Sequence, residues 1–151
     1  MYEEFTVKWI YPLKVVLRDE KIIKTEFLRE YTIGYRANVS EFSLRLKKDL
    51  ELYFSGKKID FSNYEVEIKR PFLSKVLKKV REIEYGKTTT YSEIAKELKT
   101  SPRAVGQALK ANPAPVIIPC HRVVSKNGIG GFSQGLDIKF ELLKLEKSKL
   151  K

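Results

Sequence analysis

Hydrophobic and polar positions alternate over the first thirty residues and then shift to helical spacing, so the chain opens as a sheet and continues mainly as helices. Residues 5–11, 13–18 and 22–28 are β-branched and aromatic runs, broken at Pro12 and at Arg18-Asp19-Glu20-Lys21, which predicts a small antiparallel sheet. Val39, Phe42, Leu46, Leu50 and Tyr53 then recur on one helical face. Asn38, with Glu41 three residues on, predicts the N-cap of that helix, and Gly56 its stop. The helix is expected to cover one face of the sheet. The tyrosines of this part and Trp9 read as packing, and nothing in it reads as catalytic.

Periodicity is lost over residues 55–70, where turn formers gather, so the boundary between two domains is placed there. The predicted organisation is a sheet-and-helix domain over 1–54, a linker over 55–70 and a second, mostly helical domain over 71–151. Pro71 suits the first position of a helix with Phe72, Val76, Val80 and Ile83 on one face and Gly86 past its end. Thr90-Tyr91-Ser92-Glu93 is a capping box for the next helix, which turns Ile94, Ala95 and Leu98 inward. Ser101 caps a third, with Pro102 first and Ala111 last. Two short helices joined by a tight turn form a helix-turn-helix candidate. A last helix starting near Asp137 packs Ile138, Leu142 and Leu145 inward. The fold class is therefore α/β of the α+β kind.

Charge sharpens this division. Residues 1–69 hold 13 Lys and Arg against 12 Asp and Glu, whereas residues 70–151 hold 17 against 7, so nearly all of the net +11 sits in the second part. Such asymmetry fits a polyanionic partner, because neutralising phosphates releases condensed counterions. A lysine- and glutamate-rich, heat-adapted surface fits the same numbers. No apolar run approaches the roughly 20 residues of a membrane span, and the N-terminus lacks the pattern of a signal peptide. One cysteine cannot form an internal disulfide, so a reducing cytoplasm is the simple reading. One cysteine and one histidine make no zinc site, and no cofactor is expected.

The chemistry concentrates in Ile117-Ile118-Pro119-Cys120-His121-Arg122-Val123-Val124, which contains the only cysteine and the only histidine. A thiol needs a neighbouring base or positive charge to react as thiolate, and His121 and Arg122 offer both. A small buried cysteine beside a satisfied histidine is the competing reading. Glu146 falls on the apolar face of the last helix, where a carboxylate needs a partner. That partner is either solvent at a fraying terminus or His121. In the third helix Ala104, Gly106 and Ala108 are small enough for close approach to a nucleic-acid backbone, and only Arg103, Gln107 and Lys110 can reach base edges. Sequence-specific reading is not expected. Gly128, Gly130, Gly131 and Gly135 crowd the loop that follows the cysteine, which implies tight turns or close approach.

Pro119-Cys120-His121-Arg122-Val123 resembles the active-site pentapeptide of the O6-alkylguanine-DNA alkyltransferases. Tyr85-Gly86-Lys87-Thr88-Thr89-Thr90-Tyr91, Arg103-Ala104-Val105-Gly106 and Asn112-Pro113 match in order, so the resemblance covers roughly residues 70–146. It implies irreversible transfer of an alkyl group from O6-alkylguanine, and from O4-alkylthymine, in double-stranded DNA to Cys120 after base flipping. By motif match, His121 is the base acting through a water, Glu146 holds it, and Asn112 braces the active-site turn. Arg103 fills the gap left by the flipped base, and Ala104, Gly106, Gln107 and Lys110 complete the DNA face. Tyr91, Phe132, Ser133 and the carbonyls of Cys120 and Val123 form the pocket.

Phe132 stands where relatives often carry tyrosine, and the glycine-rich loop is one residue shorter than in some of them. The implied partner is damaged duplex DNA, bound by a monomer, with cooperativity along DNA left open. A non-catalytic lesion-sensing DNA-binding protein and a cysteine hydrolase are the alternatives.

Overall fold

The computed structural model describes residues 2–30 and 40–148. Three strands, β1 (Tyr2–Val7), β2 (Leu13–Arg18) and β3 (Lys21–Phe27), form an antiparallel sheet in the order β1-β2-β3. The first strand starts earlier than its hydrophobic run and stops at Val7, because Trp9 leaves the ladder to stack on Phe54 at 4.8 Å. Asp19 and Glu20, both at positive φ, make the two-residue turn between β2 and β3 whose twist suits a hairpin.

Helix α1 (Glu41–Phe54) covers the sheet, burying Leu46, Leu50 and Tyr53. Its cap is Ser40, not Asn38: Ser40 and Ser43 satisfy each other's backbone N–H groups in a reciprocal box. Asn38 and Val39 lie outside the described residues. Residues 55–70, read as a linker, carry Phe61 and Tyr64 into the core and add to the open edge of β3, where Ile22 N–H donates to the Glu65 carbonyl at 2.8 Å.

Helix α2 (Pro71–Val80) turns in Leu73, Val76, Leu77 and Val80; the expected Phe72 is 44% exposed, since Leu73 is the residue in phase with Val76 and Val80. Two-residue strands β4 (Thr89–Thr90) and β5 (Val123–Val124) pair in parallel, which seats the start of α3 (Tyr91–Leu98) beside the segment that follows Cys120. Thr90 caps α3, Lys99 closes it in the left-handed region, and Ser101 caps α4 (Pro102–Lys110) as its sequence indicates. Helix α5 (Leu136–Ser148) ends the described chain.

Two apolar clusters result. One joins the sheet and α1 to Tyr85, Ala114, Val116, Ile117, Ile138 and Leu142; the other joins α2, α3 and α4 to Ile118, Cys120 and Val123. The Cys120–Arg122 segment, a single 3-10 turn, sits where they meet. Residues 113–118 that lead into it are pinned to β3, with Thr25 N–H donating to the Pro113 carbonyl at 3.0 Å and Thr25 Oγ1 to the Pro115 carbonyl at 2.8 Å.

Candidate active site

Cys120 is at the floor of a cleft of about 360 Å³ lined by Tyr91, Arg103, Gly106, Lys110, Phe132 and Ser133, with Pro102, Leu109 and Gly131 between them. Cys120 as a whole is 6% exposed. Of the DNA-facing residues expected from the sequence, Arg103, Gly106 and Lys110 line this cleft. Ala104 and Gln107 line the groove on the other side of α4, with Phe72 and Arg70. Among the described residues nothing lies within 4 Å of a methyl group added at Gly106. Its smallness is therefore not required by packing.

Asn112 is buried and spans the turn, its amide donating to the Ile118 carbonyl at 3.1 Å while its carbonyl accepts from Ala114 N–H at 3.0 Å. Burial pushes the Cys120 thiol up to about 11, while the Asn112 amide and the positive charge of Lys139 pull it the other way. The resting group is thus a thiol, and its proton has to leave before sulfur can act as a nucleophile.

His121 is completely buried. Its Nε2 is 2.6 Å from Glu146 Oε2, so α5 does deliver the carboxylate to the histidine. Burial lowers the histidine's pKa, the carboxylate opposing it. Glu146 also accepts from Arg122 Nε at 2.9 Å, Arg122 Nη2 at 3.0 Å, Gly86 N–H at 3.1 Å and the Tyr53 hydroxyl at 2.6 Å. Desolvation works against its charge, but His121 and Arg122 outweigh that and hold the carboxyl below the usual carboxylate range. An ionised carboxylate only accepts, so His121 Nε2 carries the proton and Nδ1 is left as a free lone pair. That Nδ1 has no hydrogen-bond partner among the described residues.

One expectation is corrected. Arg122 does not face the thiol; its guanidinium clasps Glu146, donates to the Ile83 carbonyl at 2.7 Å and lies over the Tyr85 ring. Arg122 follows the cysteine by two residues in a 3-10 turn, which sends the two side chains to different sides. The Tyr91 hydroxyl accepts from Gly131 N–H at 3.1 Å and lies 3.3 Å from the Gly131 carbonyl. The Val123 carbonyl accepts from Lys139 Nζ at 2.6 Å and the Cys120 carbonyl from Val123 N–H, which leaves each oxygen a second lone pair.

Lys139 and Tyr53 were not singled out by sequence reasoning. Lys139 is completely buried and ties the Val123 carbonyl to the Gly131 carbonyl at 2.8 Å, thereby joining the active-site turn to the glycine-rich loop. On α5 it stands three residues before Leu142 and seven before Glu146, so the helical spacing that marks Glu146 marks Lys139 as well. Within the loop, Gly130 at φ 79° would place a side chain 2.7 Å from the Tyr91 hydroxyl. There the glycine is needed for both backbone and space.

Among the described residues no group of three or more His, Cys, Asp and Glu side chains is placed to hold a metal, and no helix is long and apolar enough to cross a membrane.

Residues 71–148 match the family model for the 6-O-methylguanine DNA methyltransferase DNA-binding domain. A methylated-DNA–protein-cysteine methyltransferase of Metallosphaera sedula is 41% identical over 144 residues, 93% of this chain and 89% of that protein. One of Methanocaldococcus jannaschii is 55% identical over 102 residues, 65% of this chain and 60% of that protein. Among solved structures, Mycobacterium tuberculosis OGT in complex with DNA has a TM-score of 0.81 at 31% identity, covering 96% of this chain and 92% of that one. The O6-methylguanine-DNA methyltransferase of Pyrococcus kodakaraensis has a TM-score of 0.75 at 26% identity, covering 97% and 99%. A buried cysteine between a helix-turn-helix and a buried histidine–glutamate pair thus stands on a shared fold over nearly the whole chain, and the chain belongs to the methylated-DNA–protein-cysteine methyltransferase family.

Proposed function

We propose that this protein repairs DNA by direct damage reversal, moving the alkyl group of O6-alkylguanine in duplex DNA onto Cys120 once per molecule. The observation that carries the reading is the placement of Cys120 at the floor of a cleft whose outer wall is α4, with Arg103 and Lys110 at the mouth. A base inside a duplex cannot reach a thiol so deeply set. The nucleotide has to leave the stack, at a cost of a few kcal/mol, and Arg103, exposed near the start of α4, is placed to occupy the gap.

Cys120 gives its proton to the free Nδ1 of His121 through a water, and Glu146 stabilises the imidazolium. Sulfur attacks the alkyl carbon, the carbon–sulfur bond forms as the carbon–O6 bond breaks, and the electron pair passes to guanine, which takes up a proton. The product thioether has no second thiol to release it, because the chain has one cysteine. The reaction accordingly stops at one equivalent. O4-alkylthymine offers the same alkyl–oxygen bond and is a second substrate on this reading. The protein acts as a monomer, needs no cofactor, and works in the cytoplasm.

Intact mass before and after mixing with duplex DNA containing one O6-methylguanine tests this, with Cys120→Ala as control. The expected result is a gain of about one methylene in the wild type alone, stopping at one equivalent. Continued turnover overturns the single-use reading. No gain with DNA still bound favours a lesion-sensing protein instead.

Gly106 separates binding from stability. Gly106→Ala is expected to raise stability by about 0.5–1 kcal/mol, as it does inside a solvated helix. Gly106→Leu is expected to keep the fold but weaken DNA binding at least tenfold, because its side chain projects into the cleft mouth. Thermal melts and a DNA titration at fixed salt check both.

A further inference from the structure

We propose that Tyr53, carried by α1 far from the cysteine in sequence, is a positioning residue of the transfer reaction whose hydroxyl sets the basicity of His121 by sharing Glu146 with it. The inference rests on the transfer reading above.

Tyr53 is fully buried, one helical turn beyond Leu50 on the face that α1 turns inward. Edge contacts with the rings of Phe54, Phe61 and Tyr85, at 5.3, 5.7 and 6.1 Å between centroids, fix its plane. Packing alone would be served as well by phenylalanine. The hydroxyl instead donates to Glu146 Oε2 at 2.6 Å and lies 3.5 Å from His121 Nε2. His121 and Tyr53 therefore donate to the same carboxylate oxygen at the same distance.

Every donor to a carboxylate stabilises the anion and lessens what it offers to the others. Arg122 also reaches Oε2, while Gly86 N–H donates only to Oε1. The remaining groups facing the pair are the Tyr85 phenol and Lys139 on α5. With the Tyr53 hydroxyl removed, Oε2 has two donors instead of three and concentrates its charge on His121. The imidazolium is then favoured, and His121 becomes neutral only at higher pH. A base that is blocked by its own proton slows transfer, so the acid limb of the rate profile moves upward.

The chain has one histidine, so in protein carrying ¹⁵N-labelled imidazole every signal belongs to His121. Titrating wild type and Tyr53→Phe by NMR needs neither DNA nor an alkyl donor. The midpoint is expected to rise by about one pH unit in the variant, with Nε2 still protonated in the neutral ring. The acid limb of the reaction with free O6-benzylguanine is expected to move by the same amount. An unmoved midpoint, with a rate that falls equally at every pH, overturns the proposal and leaves Tyr53 a packing residue.

If wild type transfers no alkyl group at any pH, the proposed function fails while the histidine titration still decides the role of Tyr53. If Tyr53→Phe does not fold, the wild type alone decides. Its Tyr53 hydroxyl proton is expected as a slowly exchanging downfield resonance close to the His121 ring, and its absence overturns the assignment.

Discussion

Replacing Glu146 with glutamine is expected to lower folding stability by about 3–5 kcal/mol and to slow alkyl transfer by on the order of 10²–10³-fold. The stability loss follows from what remains. Arg122 is 7% exposed, and its Nε and Nη2 both donate to Glu146, so a neutral amide leaves a buried guanidinium without its counter-charge. The amide also presents a donor NH₂ to this crowded site, where the Tyr53 hydroxyl, Gly86 N–H and His121 Nε2 all require an acceptor.

The rate loss has a different source. When an amide N–H faces Nε2, the neutral imidazole places its proton on Nδ1, the atom that has to receive the thiol proton. Urea denaturation and single-turnover rates, both taken where the variant is folded, check the two numbers separately.

The pH dependence fixes the sign. Glu146 is held as an anion below the ordinary carboxylate range, so its contribution is fully present above about pH 4.5 and is lost as pH falls toward its folded pKa. Wild type and Glu146→Gln should accordingly converge in stability on acidification. A gap that stayed constant from pH 7 to pH 3 would mean that Glu146 contributes by shape and not by charge.

Much of this arrangement is legible in the sequence, and the reasons for what was missed are physical. The caps at Thr90 and Ser101, with Pro102 at the first position of α4, are local chemistry, and they place the helix-turn-helix within a residue. Glu146 is legible because a carboxylate on an apolar helical face needs a partner, and one histidine was available. Tyr53 is not legible. Its position on the α1 stripe marks it as buried, and nothing in a period of 3.6 distinguishes a buried ring that packs from one whose hydroxyl is used.

Arg122 stands two residues after the cysteine, where the sequence offers its charge to the thiol, and the 3-10 turn sends the two side chains to different sides. Val116 is, in the sequence, one more apolar residue before Ile117 and Ile118. It adopts φ 78°, unfavourable for a β-branched residue, and residues 113–118 hold this geometry through bonds from Thr25 on β3, which lies some ninety residues away. Non-local bonds of this kind leave no local pattern.

Lys139→Met is expected to destabilise the fold by about 2 kcal/mol and to slow transfer by about 10–100-fold at neutral pH. The methionine fits the volume but leaves the Val123 carbonyl without its side-chain donor, while the Gly131 carbonyl keeps only the longer contact to Tyr91. The active-site turn and the glycine-rich loop then lose their common tie. Lys139 also pulls the Cys120 thiol down against burial, and its removal lets the thiol rise further from about 11.

Burial draws the Lys139 ammonium down to about 8, so its charge helps the thiolate below that pH and fades above it. The ratio of wild-type to Lys139→Met rates, measured with free O6-benzylguanine, should be largest below pH 8 and shrink as pH rises. The stability difference should not shrink but widen above about pH 8, because a neutral amine still donates to both carbonyls and a lowered lysine pKa favours the folded state as pH rises. A rate ratio independent of pH would assign Lys139 to holding the loop alone; a ratio that falls while the stability gap widens would separate its charge from its hydrogen bonds.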